Sequence, residues 1–140
     1  MNVSRQDIYS YVTTLIKGVS SNIYRIEIPE TLNSAATSNG FIVLKMDGIK
    51  DFSEMSLNTY AQTRVYIECY VPSLQSDGTI NTTKYKAAQD AIDTIIREES
   101  LKTNQPYTIS SDIDISMENY FTNNTNTFFL YITSFLISIT

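Results

Sequence analysis

The amino-acid sequence predicts an α+β fold in which two helices pack on one face of a mainly antiparallel sheet. The first observation is a strict alternation of side chains over residues 59–72, which is typical of a half-buried strand. The second is a helical periodicity on both sides of that strand, over about residues 5–17 and 82–98. The third is a C-terminal segment at about 107–139, in which an alternating strand, a polar turn and a second β-forming run predict a β-hairpin. Such elements combine into a two-layer sandwich.

The central predicted strand has two chemically different faces, because successive side chains point to opposite sides of a sheet. One face is small and apolar and comprises Ala61, Thr63, Val65, Ile67, Cys69 and Val71. The other, which we call the tyrosine face, comprises Tyr60, Gln62, Arg64, Tyr66, Glu68 and Tyr70. Pro72 lacks the amide donor that a strand needs and therefore ends this one. The pattern predicts that the apolar face is buried.

The remaining elements are predicted from local signals along the chain. A short strand spans residues 22–28 and ends before Pro29, and a second strand spans 41–48 and pairs antiparallel with 59–72. Between them, residues 30–40 are rich in Ser, Thr, Asn and Ala, and they predict an exposed, mobile loop. A strand is predicted over 107–118, followed by a polar hairpin tip over 120–126.

The last predicted strand, residues 127–139, is apolar on both faces. Its two sets of large side chains are Phe128, Leu130, Ile132 and Leu136, and Phe129, Tyr131, Phe135, Ile137 and Ile139. A strand of this kind either lies in the centre of a sheet with both faces covered or contacts another subunit. The sequence leaves both alternatives open.

Length and composition favour one domain over residues 1–140 that does not hold nucleic acid tightly. A net charge of −5, from 10 basic and 15 acidic residues, opposes binding through phosphate neutralisation, although it allows DNA to pass without adhering. The single cysteine, Cys69, falls on the apolar face and predicts a small buried side chain. The polar N-terminus has no signal-peptide core, and the C-terminal apolar run is too short for a membrane helix.

The residues that common enzymes use are scarce in this chain. There is no histidine, there is one cysteine, and the four glycines form no phosphate-binding loop. Asp112 and Asp114 share one side of a predicted strand and could act as a carboxylate pair in a hydrolase, but a solvated strand face explains them more simply. We therefore expect no enzyme, no metal and no cofactor.

The order of elements resembles one known family. The chain has an N-terminal helix, a strand of the form Arg64-Val-Tyr-Ile-Glu-Cys-Tyr-Val-Pro72, a second helix and a closing hairpin that ends in the β-forming run 127–139. This order resembles that of phage tail terminator and head–tail connector (neck) proteins. The resemblance covers nearly the whole chain and rests on element order. It implies a structural protein of the virion, assembled in the host cytoplasm, that forms a homo-oligomeric ring with an acidic channel for DNA.

The resemblance also implies partners, while the residue types indicate which surfaces would contact them. The partners would be further copies of the chain and adjacent portal, adaptor or tail proteins, with DNA only as transiting cargo and no membrane. The expected interface residues are Tyr60, Arg64, Tyr66, Glu68, Tyr70, Phe129, Tyr131, Phe135 and Ile137, together with the 30–40 loop for docking on a neighbouring ring. An exposed or helix-covered strand face with a modest cross-strand ion pair explains the tyrosine face more simply. The alternative is a small soluble α+β domain, monomeric or dimeric, that binds a ligand or peptide on its sheet face.

Overall fold

The computed structural model describes residues 4–51, 61–72, 79, 81–102, 107–110, 113–123 and 126–139. Within these ranges the helices are α1 (Arg5–Ile16), α2 (Ser34–Asn39) and α3 (Thr82–Ser100). The strands are β1 (Ile23–Arg25), β2 (Phe41–Met46), β3 (Lys50–Asp51), β4 (Ala61–Val71), β5 (Tyr107–Ile109), β6 (Asp114–Asn123) and β7 (Asn126–Ile139). The predicted α+β class is confirmed.

The strands form one mixed sheet in the order β1-β2-β4-β7-β5, with β3 beside β4 and β6 beside β7. The pairing of β1 with β2 is parallel, and the other described pairings are antiparallel. The predicted antiparallel pair of β2 and β4 is confirmed, with Phe41 opposite Tyr70 and Met46 opposite Val65. Strand β7, which is apolar on both faces, lies in the centre of the sheet, between β4 on one side and β5 and β6 on the other.

One face of the sheet, which we call the covered face, packs against α1 and α3. The helices contribute their apolar stripes, including Ile8, Val12, Ile16, Ile92 and Ile96, all of which are fully buried. The opposing strand residues of this core include Ile42, Leu44, Val65, Ile67, Cys69, Tyr131, Phe135 and Ile137. The small apolar side chains of β4 face the helices, as the alternation of the strand predicts.

The opposite side of the sheet, which we call the open face, has a smaller apolar cluster at one end. There Phe41, Val43, Tyr70 and Phe128 pack with Ala36 of α2. The prediction of an irregular loop over residues 30–40 is therefore wrong for 34–39. The Asn33 side chain accepts a 2.7 Å hydrogen bond from the amide of Ala36 and caps a helix. Gly40, with φ of 90°, then ends it.

The C-terminal region also differs in detail from the prediction. The single strand expected over residues 107–118 is divided into β5 and β6, which pair with different parts of β7. The expected polar tip over 120–126 is shorter, because pairing of β6 with β7 continues as far as Asn123 opposite Asn126. A register shift between Ser116 and Asn119 marks an irregularity in β6.

Candidate contact surface

The tyrosine face of β4 lies on the open face of the sheet. Since β4 alternates strictly, burying Val65, Ile67 and Cys69 beneath the helices turns Arg64 and Tyr66 to the other side. In the flanking strands the register places Lys45 opposite Tyr66 and Leu136 opposite Arg64. The predicted residue Tyr60 lies outside the described residues. Gln62, Arg64 and Tyr66 are partly exposed there. Glu68 and Tyr70 are buried within the subunit, so their predicted place at an interface does not fit this structure.

Glu68 is the centre of a polar network on this surface. Its Oε2 lies 2.9 Å from Nζ of Lys45 on β2, and its Oε1 accepts a 2.9 Å hydrogen bond from the hydroxyl of Tyr70. The residue is only 8% exposed, so both partners offset the cost of removing its carboxylate from water. Burial raises the pKa of the Tyr70 hydroxyl, and the negative charge of Glu68 raises it further. Tyr70 therefore stays protonated and continues to donate.

Arg64 and Tyr66 extend this surface toward the other end of the sheet. The Arg64 guanidinium donates a 3.1 Å hydrogen bond to the hydroxyl oxygen of Ser134 on β7. The Tyr66 hydroxyl donates a 3.0 Å hydrogen bond to Oδ2 of Asp47. Desolvation and that contact with Asp47 raise the pKa of Tyr66, whereas the positive charge of Arg64 lowers it. These contacts hold both long side chains across the sheet.

Large apolar side chains of β7 lie among these polar groups. Leu130, Ile132 and Leu136 stand opposite Tyr70, Glu68 and Arg64 in the register, and all three are half-buried. We call the area formed by Lys45, Arg64, Tyr66, Ile132 and Leu136 the sheet patch. It includes a tyrosine and an arginine, two residue types that are enriched at protein interfaces, beside partly exposed aliphatic side chains. Such a surface can bind another folded surface without any chemical step.

The four β7 residues expected at an interface lie instead in the core of the subunit. Phe129, Tyr131, Phe135 and Ile137 are all buried on the covered face. The ring of Tyr85 on α3 packs edge-on against Phe129 and Tyr131, with centroids 4.7 and 5.3 Å apart. Their assignment to a subunit surface therefore does not fit this structure. The reason is that all four are odd-numbered residues of one strand, so they point to the same face of the sheet, which α1 and α3 cover.

The remaining candidate segments have mixed outcomes. Most described residues between 30 and 40 are exposed, and Ala36 of α2 is fully buried. Of the carboxylate pair, Asp112 lies outside the described residues and Asp114 is exposed at the start of β6. No group of three or more His, Cys, Asp or Glu side chains that could hold a metal ion is found in the part of the chain that the structure describes.

Three clefts of modest size open on the described surface. Their volumes are about 80, 250 and 260 Å³. Pockets for small organic ligands usually have about 300 Å³ or more. The cleft of 260 Å³ is lined by Arg5, Tyr9, Ile26, Lys45 and Met46. Sequence reasoning missed this site, because its residues come from three segments and no local pattern connects them.

A comparison with protein-family models and with curated proteins finds no match to this chain. Among the described residues, no helix is long and apolar enough to cross a membrane.

Proposed function

We propose that this protein is a structural component of a tailed-phage virion. In this proposal it forms a homo-oligomeric ring in the head–tail neck or at the end of the tail tube, as a tail terminator does. The observation that carries the proposal is the sheet patch, a half-buried surface of mixed apolar and charged groups on the open face of the sheet. Assembly would bury this patch against a neighbouring subunit or ring.

The physical argument concerns the apolar part of the patch. Ile132 and Leu136 keep part of their surface in water in the single subunit. Covering them contributes free energy of about 25 cal/mol for each Å² of apolar surface removed from water. Arg64 and Tyr66 are already held by hydrogen bonds to Ser134 and Asp47, so they lose little further freedom on binding. A preorganised patch of this kind suits an assembly contact.

The charge of the chain supports the proposed role in a DNA channel. A ring through which DNA moves must not hold the phosphates, and a net charge of −5 per copy repels them. The scarcity of catalytic residue types in the sequence is in keeping with a purely structural role. Within this proposal the partners are further copies and the adjacent portal, adaptor or tail proteins, and the protein resides in the virion.

The test measures assembly directly. Light scattering gives the solution mass of the purified chain at two concentrations, alone and after mixing with a portal or tail-tube preparation, and negative-stain images show whether rings form. Rings with an open centre, free or on the template, support the proposal. A compact monomer or dimer that never adds to the template contradicts it and favours the ligand-binding alternative.

A pair of variants connects the assembly to the sheet patch. Ile132→Lys places a charge in the patch, whereas Leu101→Lys makes the same change at a side chain that is 81% exposed just after α3. We expect Ile132→Lys to prevent ring formation and Leu101→Lys to permit it. Rings that form equally well in both variants would exclude the sheet patch as the contact surface.

A further inference from the structure

The connection between β1 and β2 contains the one Asn-Gly pair of the sequence, Asn39-Gly40. Asn39 is the last residue of α2 and is exposed, whereas Gly40 is buried where the chain enters β2. Gly40 packs closely against β4, since a Cβ built on it would lie 2.4 Å from the carbonyl oxygen of Tyr70. An asparagine before glycine loses its side-chain amide readily, because no side chain shields the backbone nitrogen that follows it.

The reaction available to this pair is deamidation through a cyclic imide. The amide nitrogen of Gly40 releases its proton and attacks Cγ of Asn39. A new C–N bond closes the ring, and the side-chain nitrogen leaves as ammonia with that proton. Water then opens the ring, either at Cγ to give aspartate or at the main-chain carbonyl to give isoaspartate, whose backbone is longer by one methylene. Water is the only co-reactant, and nothing is oxidised or reduced.

The folded structure holds the attacking nitrogen in a hydrogen bond. The Gly40 amide donates at 2.9 Å to the carbonyl of Ala36 in α2. The Gly40 carbonyl in turn accepts a 3.3 Å hydrogen bond from the side-chain amide of Asn22. While α2 is formed, the nitrogen is therefore not available to attack Cγ of Asn39. The reaction requires that α2 first unwinds.

Helix α2 is held by few contacts. It has six residues, and helices shorter than about 12 residues are marginal without tertiary support. The support comes from Ala36, the one buried residue of this helix, which packs in the cluster that contains Phe41 and Tyr70. The Asn33 side chain adds a cap by accepting a 2.7 Å hydrogen bond from the Ala36 amide. Segments with so few buried contacts open locally without unfolding of the whole protein.

We infer that Asn39 is a deamidation site whose rate of reaction is set by the unwinding of α2. Unwinding frees the Gly40 nitrogen beside an asparagine that is already in water. The isoaspartate product prevents α2 from forming again, because its longer backbone displaces Gly40 from Ala36 and from the close contact with Tyr70. The modified chain thus exposes the cluster around Phe41. The modification occurs within one subunit and does not depend on the proposed ring.

The rate of modification in native and unfolded protein tests the inference. Both samples are held at mildly alkaline pH, one of them in guanidinium chloride, and peptide mapping by mass spectrometry measures the product at Asn39. We expect the native chain to react about tenfold or more slowly than the unfolded one, since only its open fraction reacts. Equal rates would show that α2 gives no protection. A native chain that stays unmodified while the unfolded one is converted would show that α2 does not open. Either result overturns the inference.

A pair of cap variants connects the rate to α2. Asn33→Ala removes the cap of α2, and we expect Asn39 to react severalfold faster. Asn81→Ala is the matched control, because it removes the same kind of cap, a 3.1 Å hydrogen bond from the Lys84 amide, at α3. It should leave the rate at Asn39 unchanged. Equal acceleration in both variants would show that the reaction follows unfolding of the whole protein, and the role of α2 would then be wrong.

Hydrogen exchange of the wild type gives the same answer without a variant that must fold. The Gly40 amide should exchange faster than the paired amides of β4, because opening of α2 precedes global unfolding. Equal protection of Gly40 and β4 would contradict local opening.

The isolated product tests the structural consequence. The isoaspartate form, separated by its added negative charge, should unfold at a lower temperature than the wild type and bind the dye ANS more strongly, because the aromatic cluster is exposed. Asn39→Asp is the control, since it has the same added charge on an ordinary backbone and should change both measurements less. An isoaspartate form that matches the wild type in unfolding temperature and dye binding would overturn the exposure of the cluster.

Discussion

The hydroxyl of Tyr11 on α1 donates a 2.6 Å hydrogen bond to Oε1 of Glu99 on α3, across 88 positions of sequence. The other carboxylate oxygen of Glu99 lies 2.8 Å from Nζ of Lys102. The ring of Tyr11 packs on that of Tyr107, with centroids 4.7 Å apart. Glu99 is only 7% exposed, and both of its oxygens have partners. This contact joins the two helices of the covered face through polar groups.

Tyr11→Phe should therefore destabilise the fold by about 1–2 kcal/mol, because it removes a hydrogen bond to a buried carboxylate. Urea unfolding followed by circular dichroism measures the change. Tyr66→Phe is the matched control, since its hydroxyl donates to Asp47 on the exposed surface. That change should cost less than about 0.5 kcal/mol. Equal losses in the two variants would contradict a special role for the Tyr11 contact.

The same carboxylate predicts a pH dependence of stability. Burial alone would raise the pKa of Glu99, but the hydrogen bonds from Lys102 and Tyr11 and the charge of Lys102 lower it below its ordinary value of 4.5. A lowered pKa means that the stabilisation is present above the unfolded value and is lost as the pH falls through the folded one. The free-energy difference between wild type and Glu99→Gln should therefore shrink as the pH falls below 4.5. A difference that stays constant would exclude this linkage.

Gly40→Ala should destabilise the protein by about 2–4 kcal/mol. The φ of 90° at Gly40 disfavours any side chain, and an added Cβ would lie 2.4 Å from the carbonyl oxygen of Tyr70. Gly18→Ala is the control, because a Cβ there meets no atom within 4 Å. It should change stability by less than about 0.5 kcal/mol. Thermal unfolding of both variants checks the pair, and a neutral Gly40→Ala would contradict the geometry of the turn.

Phe135→Ala tests whether the odd-numbered residues of β7 belong to the core or to an interface. Phe135 is fully buried beneath the helices, so truncation should cost about 3–5 kcal/mol even in the monomer. The neighbouring Leu136 lies half-buried on the open face, and Leu136→Ala should cost less. The measurement is urea unfolding at a concentration where the chain is monomeric. A Phe135→Ala monomer that is as stable as the wild-type monomer would indicate that Phe135 belongs to an interface and not to the core.

The thiol of Cys69 should be unreactive in the folded protein. Burial raises its pKa to about 11, so few thiolates exist near neutral pH. A disulfide reagent such as dithionitrobenzoate should react slowly with the native chain at about pH 8 and rapidly in urea. The single cysteine makes the stoichiometry in urea one per chain. Fast reaction without urea would show that the covered face opens readily.

The sequence alone was sufficient where a pattern is local. Alternation over β4 predicted which of its faces is apolar, because a strand has only two sides and burial selects one of them. The apolar stripes of α1 and α3 predicted both helices for the same reason. The side of β4 that carries Arg64 and Tyr66 could thus be distinguished from the side that packs beneath the helices.

Tertiary structure decided the features that depend on neighbours. β7 is apolar on both faces, so only the packing of α1 and α3 on one face of the sheet shows that Phe129 and Phe135 are internal. Helix α2 has little apolar surface of its own, and its formation depends on the packing of Ala36 in the cluster that contains Phe41. The cleft of 260 Å³ is lined by Arg5, Ile26 and Lys45, which are distant in sequence and meet only in the folded chain. Local propensity cannot encode such contacts, because their energy comes from residues that folding brings together.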